Sequence, residues 1–125
     1  MSPLVEEFAE NARAAGCLVH TPPFEPPAGA GISRASYGIA ATGSVVFSSS
    51  VEPRGASVLP EVHVALLEAE TILPDLAGLF ARIGPQLPSS LAIVTGPSAS
   101  ADIGQRHLVG VHGPREVHVV IEGAA

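Results

Sequence analysis

Two short apolar runs separated by glycine–proline turns constrain the fold of this chain more than any other feature. The runs are Leu91–Thr95 and Val117–Ile121, and the turns are Gly96-Pro97 and Gly113-Pro114. Apolar runs of this length, bounded by turn residues, are typical of strands. Serine, aspartate and histidine residues lie between the two runs, where loops at strand ends commonly carry ligand-binding groups. The pattern predicts a rigid sheet whose loops hold a site.

Helical and apolar segments alternate along the rest of the chain. Ser2-Pro3 is typical of a helix start and Gly16 of a helix end. The alanine-rich segment Gly31–Ala41 and the segment Asp75–Ile83 are also predicted to be helical, and further strands are predicted at 17–20, 45–49 and 62–67. This alternation predicts an α/β fold, a single domain with a mostly parallel, Rossmann-like sheet.

The length of 125 residues predicts one domain, residues 1–125. Residues 1–30 form its variable N-terminal part, which consists of a helix, a strand and a connector with four prolines at residues 21–30. Residues 31–121 form its motif-bearing core. Aromatic residues make up only 4% of the chain, so the core must consist of smaller apolar side chains. Part of that apolar surface is expected to be buried in a homodimer.

Charge and cysteine content exclude several classes of protein. The net charge is −6, lysine is absent and the arginines are scattered, which excludes nucleic-acid binding. The apolar runs are shorter than the roughly 20 residues of a membrane-spanning helix, and the acidic N-terminal segment is not a signal peptide. The single cysteine, Cys17, excludes an iron–sulfur cluster within this chain and predicts a cytoplasmic location. Cys17 itself is expected to be buried and inert.

Two loops offer hydroxyl groups beside glycine. Thr42-Gly43-Ser44 combines two hydroxyls with a backbone that a ligand can approach closely, or forms a turn that satisfies its own backbone. Gly96-Pro97-Ser98 follows a strand and leads to Ser100 and Asp102. A helix beginning there would bind an anion with its free N–H groups, or these side chains would only cap it.

The third loop, Gly110–Pro114, holds His112 between glycines, where it titrates near neutral pH or simply contacts solvent or backbone. The candidate catalytic residues are therefore His112, Asp102 and Ser98. The candidate ligand-binding residues are Thr42, Gly43, Ser44, Gly96, Pro97, Ser98, Gly110, His112 and Gly113. If these residues form a site, its expected ligand is a small carboxylate or phosphate.

The other histidines do not predict a metal site. His63 and His118 lie in strands among valines, where hydrogen-bonded core or edge histidines are commoner than ligands. His20 and His107 have no distinguishing context. Because the sequence has no HxxxH or HxH spacing, no preformed metal site is expected.

Several blocks, taken together, resemble a known family. They are GISRA at 31–35, AATGS at 40–44, LPEVHV at 59–64, TGPS at 95–98 with ADI at 101–103, VGVHGP at 109–114 and VHV at 117–119. Their order and spacing resemble the lactate-utilisation protein C family, the LUD domain. The resemblance implies a fold similar to the ribose-5-phosphate isomerase and CoA transferase superfamily. It also implies an accessory role in oxidising L-lactate, or a related 2-hydroxy acid, to pyruvate beside iron–sulfur partner proteins, which would hold the only clusters.

The chain departs from the family pattern at three positions and is shorter than usual. Ala41 replaces an acidic residue, Ala99 stands where an arginine usually follows Ser98, and Gly104 replaces another acid. These departures leave a second hypothesis, a catalytically silent ligand-binding or scaffold module of the same fold. A third is an independent isomerase or acyl-transfer enzyme, for which Asp102 and Glu61 are the nearby acids.

Overall fold

An amphipathic helix, α1 (Pro3–Ala14), opens the fold as the sequence predicts. The Ser2 side chain accepts a hydrogen bond from the Val5 backbone N–H at 3.2 Å, and proline occupies the first turn. This caps the free N–H groups that every helix start presents. The buried face of α1 consists of Val5, Phe8, Ala9 and Ala12, which recur at helical spacing.

The computed structural model describes residues 2–49, 61–84, 90–97 and 115–123. The second helix is α2 (Leu76–Ile83), capped by the Asp75 carboxylate. A single 3-10 turn spans Ala69–Thr71. The strands are β1 (Leu18–His20), β2 (Gly31–Arg34), β3 (Tyr37–Ile39), β4 (Ser44–Ser49), β5 (Val62–Glu68), β6 (Ile72–Leu73), β7 (Ser90–Val94) and β8 (Glu116–Glu122).

The strands form two sheets of four. The first has the order β1-β8-β5-β2, and all of its pairs are parallel. The second has the order β6-β3-β4-β7, in which β3 pairs with β6 in parallel but β4 is antiparallel to both neighbours. The α/β class and the parallel sheet are thus confirmed. The second, mixed sheet is an addition that the sequence analysis did not predict.

The predicted helix at Gly31–Ala41 was wrong, because this segment forms β2 and β3. The backbone N–H of Ala35 donates to Leu66 O at 2.8 Å, and that of Ser36 donates to Val46 O at 2.7 Å. These bonds to β5 and β4 override the weak helical preference of alanine. Gly38 brings β3 close to the core, since a Cβ there would lie 2.9 Å from Leu67 Cδ2.

The main core lies between α1, the parallel sheet and one face of the mixed sheet. It joins Phe8 of α1 to Leu67 of β5, Val119 and Ile121 of β8 and Val45 of β4. The other face of the mixed sheet packs against Leu79 of α2. The apolar stripe predicted on α2 is only partly buried, because Leu76 and Phe80 remain about half exposed.

Candidate functional site

The Thr42-Gly43-Ser44 segment lies in the hairpin that joins β3 to β4, not between a helix and a strand. The Gly43 backbone N–H donates to Ile39 O at 2.8 Å, and Gly43 has a φ of +72°. The Asn11 side-chain amide of α1 donates to the carbonyls of Ala40 at 2.8 Å and Ala41 at 3.1 Å. The helix therefore fixes the position of this hairpin.

Two of the three predicted loops meet through a row of hydroxyls. Ser44 Oγ lies 2.5 Å from Thr42 Oγ1 and 2.6 Å from Thr95 Oγ1, the residue just before Gly96-Pro97. Ser44 is buried, Thr95 is half-buried and Thr42 is exposed. The row thus runs from the interior to solvent, where its outer residue, Thr42, is exposed.

The glycines of these two loops face the end of α1. A Cβ on Gly43 would lie 2.2 Å from the backbone nitrogen of Ala12, and one on Gly96 would lie 2.3 Å from the carbonyl oxygen of Ala15. Both distances are far inside van der Waals contact. The structure therefore explains both glycines by helix packing, while their contact with a ligand stays a prediction.

The end of α1 also sets the electrostatics beside these loops. A helix C-terminus carries a partial negative charge, which disfavours an anion placed against it. Arg13 in the last turn is the basic residue that counters this charge. The anion site predicted at a helix start near Ser100 and Asp102 falls outside the described residues.

Cys17 lies at the same end of α1 and is buried, as predicted. Burial raises the pKa of its thiol, and a hydrogen bond from the Gly96 backbone only partly offsets that rise. Because the thiolate is the reactive form of cysteine, a raised pKa makes Cys17 a poor nucleophile.

Five predicted site residues lie outside the described residues: Ser98, Asp102, Gly110, His112 and Gly113. Their roles stay predictions.

Within residues 2–49, 61–84, 90–97 and 115–123, no three histidine, cysteine, aspartate or glutamate side chains are grouped to hold a metal ion. In the same part of the chain, no helix is long and apolar enough to cross a membrane.

A contact between two histidines, His20 and His118, was not predicted from the sequence. His20 Nε2 lies 2.8 Å from His118 Nδ1, and their rings stack with centroids 5.1 Å apart. His118 is buried as predicted, but its partner is 98 residues away, which no local signal indicates. Only the pairing of β1 with β8 brings the two rings together.

His63 is buried as predicted but has no hydrogen-bond partner within the described part of the chain. Its ring contacts the Phe47 ring edge-on, with centroids 5.7 Å apart. Burial lowers the pKa of His63, because a charged imidazole loses its hydration there. An unsatisfied buried polar group typically costs about 1–3 kcal/mol.

The free energy of unfolding is expected to fall as the pH drops below about 6.5, the ordinary pKa of histidine. The lowered pKa values of His63 and His20 mean that the unfolded chain binds protons first. The stability contributed by these two histidines is fully present above that pH and is lost as the pH falls towards their pKa values in the folded chain. Urea unfolding between pH 8 and pH 5.5 measures this loss. His63→Leu should make it smaller, and an unchanged loss in that variant would exclude His63 as a cause.

Ser44→Ala is expected to lower the free energy of unfolding by about 1–2 kcal/mol, since it removes two partly buried hydrogen bonds. Thr42→Ala removes only the exposed end of the row and should cost less than about 1 kcal/mol. Thermal or urea unfolding of both variants measures the difference. Equal losses of stability in the two variants would contradict the increase in burial from Thr42 to Ser44.

The chain is similar to a known domain family and to several bacterial proteins. Residues 27–121 match the LUD domain model. The chain is similar to Uncharacterized protein YkgG of Escherichia coli K12, at 41% identity over 74% of this chain and 43% of that protein. It is also similar to Lactate utilization protein C of Halalkalibacterium halodurans, at 38% identity over 74% of this chain and 44% of that protein. The chain thus spans less than half the length of these relatives.

A solved structure shares the fold. The crystal structure of a DUF162 family protein from Deinococcus radiodurans superposes with a TM-score of 0.64 and covers 96% of each chain. The sequence identity is 15%, so this likeness concerns the fold alone.

Proposed function

The chain belongs to the LUD domain family, and from this premise we propose that it is an accessory subunit in the oxidation of L-lactate, or a related 2-hydroxy acid, to pyruvate. The observation that carries the proposal is the match of residues 27–121, the motif-bearing core, to that family. Relatives named lactate utilization protein C support it. The chain spans less than half of their length, so the proposal gives it a part of that process.

We further propose that the loops around Ser44 bind the small carboxylate. Thr42 offers an exposed hydroxyl, which Ser44 holds in place from the buried side. Thr95 and Gly96-Pro97 lead directly into Ser98, one of the three candidate catalytic residues with Asp102 and His112. The sequence has one cysteine, fewer than the four thiolates of a typical iron–sulfur cluster. From the family resemblance we propose that electrons from the substrate pass to iron–sulfur partner proteins in the cytoplasm.

Reconstitution with candidate iron–sulfur partners tests the proposal. Dye reduction that depends on L-lactate should require this chain and should fall to background when the chain is left out. An unchanged rate without it would exclude the accessory role.

A pair of threonine variants tests the position of the site. Thr42→Ala should lower lactate-dependent reduction, because the hydroxyl proposed to meet the ligand is lost. Thr71→Ala is the matched control, since its hydroxyl donates to the carbonyl of Glu68, the residue just before the 3-10 turn. Equal rates in the two variants would place the ligand elsewhere.

The packing of Gly43 and Gly96 against α1 favours a second candidate function, a silent ligand-binding or scaffold module. In such a module the motif glycines would be kept for the fold, and the acidic residues replaced by Ala41 and Gly104 would not be needed. Thermal-shift measurements with lactate, pyruvate, CoA, nucleotides and sugar phosphates separate the two. A saturable shift that His112→Ala abolishes would exclude a scaffold that binds nothing.

We also propose that the chain is a homodimer. Large apolar side chains remain exposed on both edge strands of the parallel sheet, at Leu18 and Ile32. Sedimentation equilibrium should give twice the monomer mass of 12.7 kDa. A monomer at micromolar concentration would contradict the proposal.

A further inference from the structure

One ring nitrogen of His118 is buried without a hydrogen-bond partner in the part of the chain that the structure describes. This nitrogen is Nε2, and the residue as a whole is only 7% exposed. A carboxylate oxygen of Glu116, Oε1, lies 3.5 Å from it. That separation is longer than the roughly 2.7–3.2 Å of an N–H···O hydrogen bond, so the carboxylate does not satisfy the nitrogen. A buried nitrogen of this kind calls for another partner.

The separation between His118 Nε2 and Glu116 Oε1 fits two bonds to one metal ion. Zinc binds both kinds of atom at about 2.0–2.2 Å, and two such ligands at a tetrahedral angle lie roughly 3.3–3.6 Å apart. Glu116 and His118 are two residues apart in β8, so both side chains project from the same face of the sheet. An ion between them would satisfy the lone pair of the nitrogen and offset the charge of the carboxylate.

His20 holds the His118 ring in the orientation that such an ion needs. The second ring nitrogen of His118, Nδ1, lies 2.8 Å from His20 Nε2. When His118 Nδ1–H donates this hydrogen bond, His118 Nε2 carries the lone pair that binds a metal. Metal-binding histidines almost always donate their second N–H in this way, which fixes the tautomer. Phe24 stacks on the His20 ring with centroids 4.1 Å apart and so restricts its rotation.

The two donor groups indicate the kind of ion. Imidazole nitrogen suits zinc and other first-row transition metals, whereas Mg²⁺ and Ca²⁺ prefer oxygen ligands. The Glu116 side chain is 45% exposed, so water can reach the ion and complete its coordination. Two protein ligands predict weaker binding than the three or four of typical zinc sites. The spacings considered in the sequence joined histidine to histidine, so a glutamate two residues before a histidine was not considered.

We propose that Glu116 and His118 of β8 form an open binding site for one divalent transition-metal ion, with His20 as a positioning residue. His118 Nε2 and a carboxylate oxygen of Glu116 bind the ion. His20 acts through His118 by accepting its Nδ1–H. Both histidines stay neutral with one proton each, so binding the ion breaks no bond of the chain and transfers no electron. The inference does not rest on the proposed function.

Calorimetric titration of the full chain, freed of metal by a chelator, tests the site with Zn²⁺ as the probe. Glu116→Gln should weaken Zn²⁺ binding at least about tenfold, because one of the two protein ligands loses its charge. Glu122→Gln is the matched control, since Glu122 lies on the same face of β8 but pairs with Arg34 at 3.0 Å. This control should bind Zn²⁺ as the unchanged chain does. Equal affinities in the two variants would overturn the site.

Two further measurements locate the ion and separate binding from folding. Zn²⁺ should shift the imidazole NMR signals of His118 and His20 but not those of buried His63. Shifts confined to His107 and His112 would overturn the site. Zn²⁺ should also raise the urea midpoint of the unchanged chain and of Glu122→Gln, but not that of Glu116→Gln. An equal rise in all three would contradict the proposal.

A pair of His20 variants tests the positioning role. His20→Phe keeps an aromatic ring against Phe24 but removes the acceptor, and should weaken Zn²⁺ binding about 10–100-fold. His20→Gln supplies a carbonyl oxygen that can accept the His118 Nδ1–H, so it should restore part of the lost affinity. Equal weakening in both variants, or none in His20→Phe, would show that His20 does not act through that hydrogen bond.

Discussion

Gly43→Ala is expected to lower the free energy of unfolding by about 2–5 kcal/mol. About 1–2 kcal/mol comes from forcing a non-glycine residue to positive φ, and about 1–3 kcal/mol from overpacking. The new Cβ would lie 2.2 Å from a backbone atom of α1, which cannot turn aside as a side chain can. Gly96→Ala should behave alike, since its Cβ would lie 2.3 Å from the Ala15 carbonyl oxygen. Urea unfolding measures both variants.

Gly29→Ala is the matched control for this prediction. Gly29 has a φ of +83°, but a Cβ there would meet nothing within 4 Å. The control should therefore show only the cost of positive φ, about 1–2 kcal/mol. If Gly43→Ala cost no more than Gly29→Ala, the close contact with α1 would not be the reason for the glycine. Loss of ligand binding at unchanged stability would instead assign Gly43 to the ligand.

Phe8→Ala is expected to cost about 3–5 kcal/mol, the range measured when a buried aromatic ring is replaced by a methyl group. Phe8 is fully buried in the main core, and a Cβ on Gly38 would lie only 3.2 Å from its Cε1. The chain has few other large side chains to fill the space. Since domains of this size have about 5–15 kcal/mol of stability, the loss should be visible as a large fall in the urea midpoint.

Phe80→Ala provides the comparison for Phe8→Ala. Phe80 lies on α2 and is 48% exposed, so its removal should cost less than about 1 kcal/mol in the isolated chain. A cost for Phe80 as large as that for Phe8 would mean that Phe80 is covered in solution, for example by a second copy.

Local signals predicted most of the regular structure. The cap at Ser2 and the apolar spacing of α1 need only neighbouring residues, and both agree with the structure. The runs that became β5, β7 and β8 are apolar enough to be identified without knowing their partners. In contrast, Gly31–Ala41 has weak preferences of its own, so its conformation depends on bonds to β4 and β5 that the sequence does not display.

The candidate site was also predictable only where local sequence signals mark its residues. Thr42, Ser44 and Gly96 were identified as loop residues of interest. The hydroxyl row of Thr42, Ser44 and Thr95 follows from the pairing of β4 with β7. The glycines were predicted to contact a ligand. The close approach of α1, which explains them in the structure, depends on tertiary packing that the sequence does not display. The His20–His118 contact could not be predicted, since it requires the register of β1 on β8.

The strand order of the parallel sheet has a consequence for how the chain is made. β8 lies between β1 and β5, so of the described strands the first to be translated pairs with the last. Until translation has passed Glu122, β1 lacks β8, its neighbour among the described strands, and His20 lacks its hydrogen-bond partner His118. Such distant pairing slows folding. In a nascent chain stalled before Glu116, α1 and β1 would already be translated, but β8 could not yet join β1 to β5.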